Sequence, residues 1–216
     1  MRLLTALNDF NAAHPWSHND AFVGFVLKHA RAARRRGGTA AVDVGCGTGN
    51  MVERLAGVFP MVIGIEPDAE TRAIAARRFR DSTTVRIAQH RFGEESHQQY
   101  DLILFVASLH HMPLGASLRR ARSALRPGGR IVIVGVAKEA PGDSLRSLTS
   151  LVLNPVVGVM RHPARATRPP AHMRAPTAEA TDSFDDIRTV ASEVLPGVRM
   201  RRRLFWRYTA SWVSPA

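Results

Sequence analysis

The run Val42-Asp43-Val44-Gly45-Cys46-Gly47-Thr48-Gly49-Asn50 constrains this chain more than any other stretch. It reads as a short apolar strand carrying one acid, a glycine-rich turn, and the first turn of a helix. Gly45, Gly47 and Gly49 alternate as G-x-G-x-G. Glycines so placed permit a strained turn and let backbone N–H groups approach a ligand closely, which describes a nucleotide-like cofactor site. The last position of the dinucleotide fingerprint G-x-G-x-x-G would fall on Asn50, so that fingerprint is incomplete. No lysine follows the glycines, which excludes a P-loop.

A length of 216 residues fits one α/β domain with a small accessory segment. The single cysteine, Cys46, excludes intramolecular disulfides, Cys-rich zinc sites and a three-cysteine iron–sulfur cluster. No stretch reaches the ~18–20 apolar residues that span a bilayer. The first nine residues turn polar too early for a secretory signal, so the expected location is the cytoplasm. The net charge of +12 raises a nucleic-acid partner as an alternative. All basic residues but Lys28 and Lys138 are arginine, a skew that fits codon bias and leaves the excess over acids unexplained.

Asn19 or Asp20 is expected to cap a helix running to about Arg36. Phe22, Phe25, Val26, His29, Ala30 and Ala33 give it one apolar face. Residues 1–38 thus read as a helical cover, and 39–216 as the main domain. There strands alternate with helices: strands at about 40–44, 62–66, 84–88, 101–106 and 130–136, helices at about 51–59, 69–80 and 114–125. The continuous apolar runs Leu102–Val106 and Ile131–Val134 suit a parallel sheet buried on both faces. Residues 126–129 read as a turn. Residues 144–178 carry five Arg, five Pro and no acid. They read as a lid or insertion in which Asn154-Pro155 interrupts a helix and residues 161–176 lack regular structure. A helix over 182–195 follows, and then a hairpin over 198–213. Strand alternation splits Arg201-Arg202-Arg203 between two faces.

The glycine turn, with Asp43 two residues before Gly45, resembles the first motif of the class I S-adenosylmethionine (SAM)-dependent methyltransferases. The resemblance extends to Glu66-Pro67, 101–112 and 125–136, and is to the small-molecule type of the methyltransferase-domain family. It implies a doubly wound, mostly parallel seven-stranded sheet closed by an antiparallel hairpin. It implies methyl transfer from SAM, with S-adenosylhomocysteine as product, to a nucleophilic atom of a small-molecule acceptor.

Within that resemblance Asp43, Gly45, Cys46, Gly47 and Gly49 line the cofactor turn. Glu66 ends the second strand, where a carboxylate accepts ribose hydroxyls, and Pro67 packs beside the adenine. After the third strand the family often places an acid toward the adenine amine. Here Arg91 stands in its place and has no acceptor to offer, which leaves Gln89 or backbone carbonyls. Val106 leads into Ala107-Ser108-Leu109-His110-His111, the stretch beside the transferred methyl, where His110 or His111 can take a proton. The Asn/Asp-Pro-Pro-aromatic run of amino-methylating DNA enzymes is missing, as is the catalytic cysteine of carbon-5 pyrimidine enzymes. An RNA methyltransferase remains the alternative carried by the charge. A non-catalytic SAM-binding regulator is the alternative carried by Arg91, and a dehydrogenase is the third.

Overall fold

Seven strands form one sheet in the computed structural model, which describes residues 10, 11, 13–94, 96–164 and 180–215. The strands are β1 (Ala40–Val44), β2 (Met61–Ile65), β3 (Val85–Ala88), β4 (Tyr100–Val106), β5 (Leu125–Val136), β6 (Arg199–Arg202) and β7 (Arg207–Val213). The helices are α1 (Val23–Arg35), α2 (Asn50–Ala56), α3 (Ala69–Arg78), α4 (Leu114–Ala124), α5 (Ser144–Arg161) and α6 (Phe184–Val194). The strand order is β3-β2-β1-β4-β5-β7-β6, parallel from β3 to β5, with β7 antiparallel to both neighbours. This is the doubly wound sheet closed by a C-terminal hairpin that the resemblance implied. The order reverses between β1 and β4, so the carboxyl ends of these strands open a crevice for ligand.

The five parallel strands β1–β5 feed two cores. Ile103 and Phe105 of β4 pack with Leu118 of α4 and Ile187 of α6, while Leu102 and Leu104 pack on the other face with Val26 of α1 and Leu55 of α2. Both sets are fully or almost fully buried. That is why these strands read as continuous apolar runs and not as alternating ones.

Asp101 ties the amino ends of β1 and β4 together. Its Oδ2 accepts from the backbone N–H of Thr39 (2.7 Å) and Ala40 (2.9 Å) and from Nη1 of Arg126 (2.7 Å). Charge-assisted bonds of this kind exceed neutral ones, so Asp101→Ala is expected to cost about 2 kcal/mol. Thermal unfolding would show this as a fall of roughly 4–8 °C in Tm.

Three local expectations are corrected. Helix α5 runs through Asn154-Pro155 without interruption. Pro155 removes one backbone donor, but tertiary contacts hold the turn: Asn154 Oδ1 receives two side-chain bonds, and Gly158 sits directly under the His14 carbonyl. Neither Asn19 nor Asp20 caps a helix; α1 follows a 3-10 turn at His18–Phe22, and Asn19 instead accepts from Arg207. The expected turn at 126–129 is absorbed into β5, whose pairing with β4 shifts register between Tyr100 and Leu102. The expectation for residues 165–176 lies outside the described residues. Among those described, α5 leaves Leu148, Val152, Val156 and Met160 exposed along one edge.

Candidate active site

Strand β1 is wholly buried and ends in a turn of left-handed glycines: φ is +72° at Gly45, +55° at Gly47 and +90° at Gly49. A side chain on Gly45 would strike Ser108 Cβ at 2.4 Å, and one on Gly49 would strike the Phe79 ring at 2.4 Å. At Gly47, a Cβ would meet nothing within 4 Å. The turn is therefore packed at both ends and open in the middle, a cradle that a side chain would fill. The backbone N–H groups of Gly45 and Cys46 both donate to the Ile65 carbonyl, which fixes the turn to the end of β2.

Glu66 stands directly beyond β2, almost fully buried. Its Oε2 accepts the Gly47 N–H (2.8 Å) and its Oε1 the Asp68 N–H (2.9 Å). Each carboxylate oxygen keeps a second acceptor position, suited to ribose hydroxyls. Asp43 is also buried, on the sheet face shared with α1 and α2, and its Oδ1 has no hydrogen-bond partner among the described residues. Burial, reinforced by the neighbouring Glu66 charge, pushes its carboxyl up to about 7. An orphaned buried acceptor beside an open cradle fits a ligand that brings its own donors. Cys46 is buried, and burial with the Asp43 and Glu66 charges pushes its thiol up, which makes it wall and not nucleophile.

The remaining residues singled out from the sequence lie around the same crevice at differing depth. Pro67, Gln89 and Arg91 are exposed, Gln89 and Arg91 just past β3. Val106 is half-buried at the end of β4. The next residue, Ala107, adopts φ +51°, and its N–H donates to Val134 of β5. Ser108 then packs against Gly45, so the loop after β4 touches the glycine turn. A 3-10 turn at Leu109–His111 follows, its two imidazole rings 4.0 Å apart; His110 is half-buried and His111 exposed.

The sequence profile of the family described as "Methyltransferase domain" matches residues 42–131, which holds the glycine turn, Glu66 and the loop after β4. The matched stretch, from β1 into β5, is thus similar to a methyltransferase domain. An uncharacterized methyltransferase of Mycobacterium tuberculosis is 28% identical over 93% of this chain and 98% of its own length. A ubiquinone biosynthesis O-methyltransferase of Burkholderia ambifaria is 32% identical over 51% of this chain and 48% of its own. Among solved structures, a SAM-dependent methyltransferase of Aquifex aeolicus shares the fold at 14% identity, covering 81% of each chain with a TM-score of 0.53.

A second cluster lies at the same carboxyl edge of the sheet. Val136 at the end of β5 pairs with Arg207 at the start of β7, so the β6–β7 connection stands beside the crevice. Phe205 and Trp206 in that connection have φ +57° and +54°. Two bulky residues in the left-handed region cost on the order of 1–3 kcal/mol each. The fold brings Trp16 and His18 onto this connection.

Proposed function

We propose that this enzyme methylates a small-molecule acceptor held between the glycine turn and the loop after β4. The observation that carries the reading is the contact of Gly45 with Ser108, which joins the glycine turn to the loop that continues into His110 and His111. The likeness to ubiquinone biosynthesis O-methyltransferases over half of this chain supports a hydroxyl as the acceptor group. Asp43, Glu66 and the N–H groups of the turn would hold the cofactor. When bound, SAM supplies a methyl group activated by its sulfonium. Residues 13–38, helix α5 and the β6–β7 connection cover the acceptor side. No described helix is long and apolar enough to cross a membrane.

His110, the more sheltered of the two imidazoles, takes the proton from the acceptor hydroxyl, and His111 orders its ring. A base so placed contributes ~10²–10⁴-fold. His110→Ala is expected to lower kcat by at least about 100-fold with unchanged affinity for S-adenosylhomocysteine, and His111→Ala by less than about ten-fold. The assay is formation of S-adenosylhomocysteine over a panel of phenols, alcohols and amines. Turnover in His110→Ala at near wild-type rate would assign catalysis to alignment alone.

A further inference from the structure

Three segments distant in sequence meet at the β5–β7 end of the crevice. Asn154 Oδ1 of α5 accepts from Trp16 Nε1 (2.8 Å) and lies 2.9 Å from His18 Nε2. An amide oxygen only accepts, so His18 carries its proton on Nε2. The Phe205 ring lies edge-on to Trp16 (4.9 Å) and stacks on His18 (5.7 Å, 21°), and Trp206 lies 5.6 Å from His18. In the four-residue β6–β7 connection, 203–206, a pair of left-handed positions would ordinarily fall to Gly or Asn. Here it is two aromatics held in the left-handed region by contacts, including a bond from Phe205 N–H to Ser150 Oγ (2.8 Å). A turn that needed only to reverse the chain would not keep them.

Beside them, Arg207 is mostly buried without a carboxylate. Its Nε donates to Asn19 Oδ1 (2.9 Å), and its Nη1 reaches the Phe205 and Trp206 carbonyls only at 3.4 Å. No acid among the described residues pairs with it, and burial pushes its guanidinium down to about 10. A cavity of about 40 Å³ opens here, lined by Lys138, Arg203 and Arg207. Of its two acids, Asp143 is taken by Arg202, which donates to both carboxylate oxygens, and Glu139 receives the Ser147 hydroxyl. The volume suits two or three waters, or one carboxylate-sized head group. A buried cation with spare donors and no counter-ion is a place for an anion.

We propose that Arg207 and Trp206, backed by Phe205 and His18, form the acceptor-recognition subsite and select a planar acceptor that carries a carboxylate or phosphate. The proposal rests on the acceptor crevice assigned above. Strand β7 is separated from β4 only by β5. Two strand spacings are ~10 Å, which sets the distance between the anionic group and the end of the sheet where the methyl is received.

The test uses 2-naphthoate, 2-naphthyl phosphate and 2-naphthamide, titrated by tryptophan fluorescence into the full chain with saturating S-adenosylhomocysteine. One of the anions is expected to bind at least ten-fold more tightly than the amide, and the better of the two assigns carboxylate or phosphate. Arg207→Gln is expected to abolish that preference without changing the affinity for S-adenosylhomocysteine. Trp206→Gly relieves the left-handed strain, so it is expected to raise Tm while weakening the preferred anion at least ten-fold. Equal affinity for anion and amide, including none for either, overturns the proposal, as does a preference that survives in Arg207→Gln. Loss of S-adenosylhomocysteine binding with the anion preference intact counts against the cofactor site and leaves the subsite standing.

Discussion

Gly47→Arg abolishes SAM binding, weakening Kd by at least about 100-fold, while the protein stays folded. The direction in which a side chain would project from Gly47 is empty of protein, and its N–H is held by Glu66. An arginine there enters the cradle with its Cβ clear of packed atoms. Its cost to the fold is the left-handed backbone, φ +55°, at roughly 1–2 kcal/mol. For a chain of this size that is a few degrees in Tm, about 2–4 °C for each kcal/mol. The neighbouring glycines behave differently. Alanine at Gly45 or Gly49 drives a methyl into Ser108 or Phe79, so those variants lose stability and binding together. Calorimetric titration with SAM and S-adenosylhomocysteine, paired with thermal unfolding, separates the two behaviours. Wild-type affinity in Gly47→Arg would move the cofactor away from this turn.

Asp43→Asn produces opposite changes in stability and binding. In the folded protein the Asp43 carboxyl is pushed up to about 7 by burial and by Glu66, whereas in the unfolded chain it has its ordinary value near 3.8. The folded form holds the proton more tightly. The stability this contributes is fully present below about pH 4 and is lost as pH rises through about 7. With full ionisation the loss is on the order of 4 kcal/mol. Asparagine has no charge to desolvate, so at pH 8 the cofactor-free variant is expected to be more stable than wild type by about 2–4 kcal/mol. SAM brings a sulfonium and an α-ammonium, either of which favours the ionised carboxylate. Wild-type affinity is therefore expected to rise from pH 6 to pH 8, and in Asp43→Asn to be about 10–100-fold weaker at pH 8 and insensitive to pH over that range. Urea unfolding and calorimetric titration at both pH values check the pair. A variant that binds as wild type does, with the same slope, would show that Asp43 is buried for packing alone.

The cofactor side of this site was legible in the sequence because each of its parts is local. A strand, its terminal loop and the following helix are contiguous, and parallel pairing brings the ends of β1, β2 and β4 to one edge without any further information. Gly45, Gly47, Gly49, Glu66 and His110 therefore stand out as motifs. The cluster at the other end of the crevice has no such signature. The bonds from Trp16 and His18 to Asn154 span 138 and 136 residues, and that from Arg207 to Asn19 spans 188. Nothing in the surroundings of Arg207 in the sequence distinguishes it from Arg199 or Arg201. Pro155 misled for a related reason: its local cost is real, but the contacts that outweigh it come from residues 14–18. The triplet Arg201-Arg202-Arg203 was readable by strand alternation, and Arg202 alone makes the ion pairs, to Asp143 and Asp185.

Cys46, the chain's one thiol, is enclosed in the glycine turn with its sulfur facing Gly64. An electrophile in solvent cannot reach it in the closed form, and burial keeps it from ionising. Any alkylation must await a fluctuation that lifts the turn off the end of β2. The rate of that reaction thus clocks local opening at the cofactor cradle, and a ligand that pins the turn slows the clock. The protein carries a native reporter of its own breathing, at the position where a labelling experiment would otherwise have to engineer one.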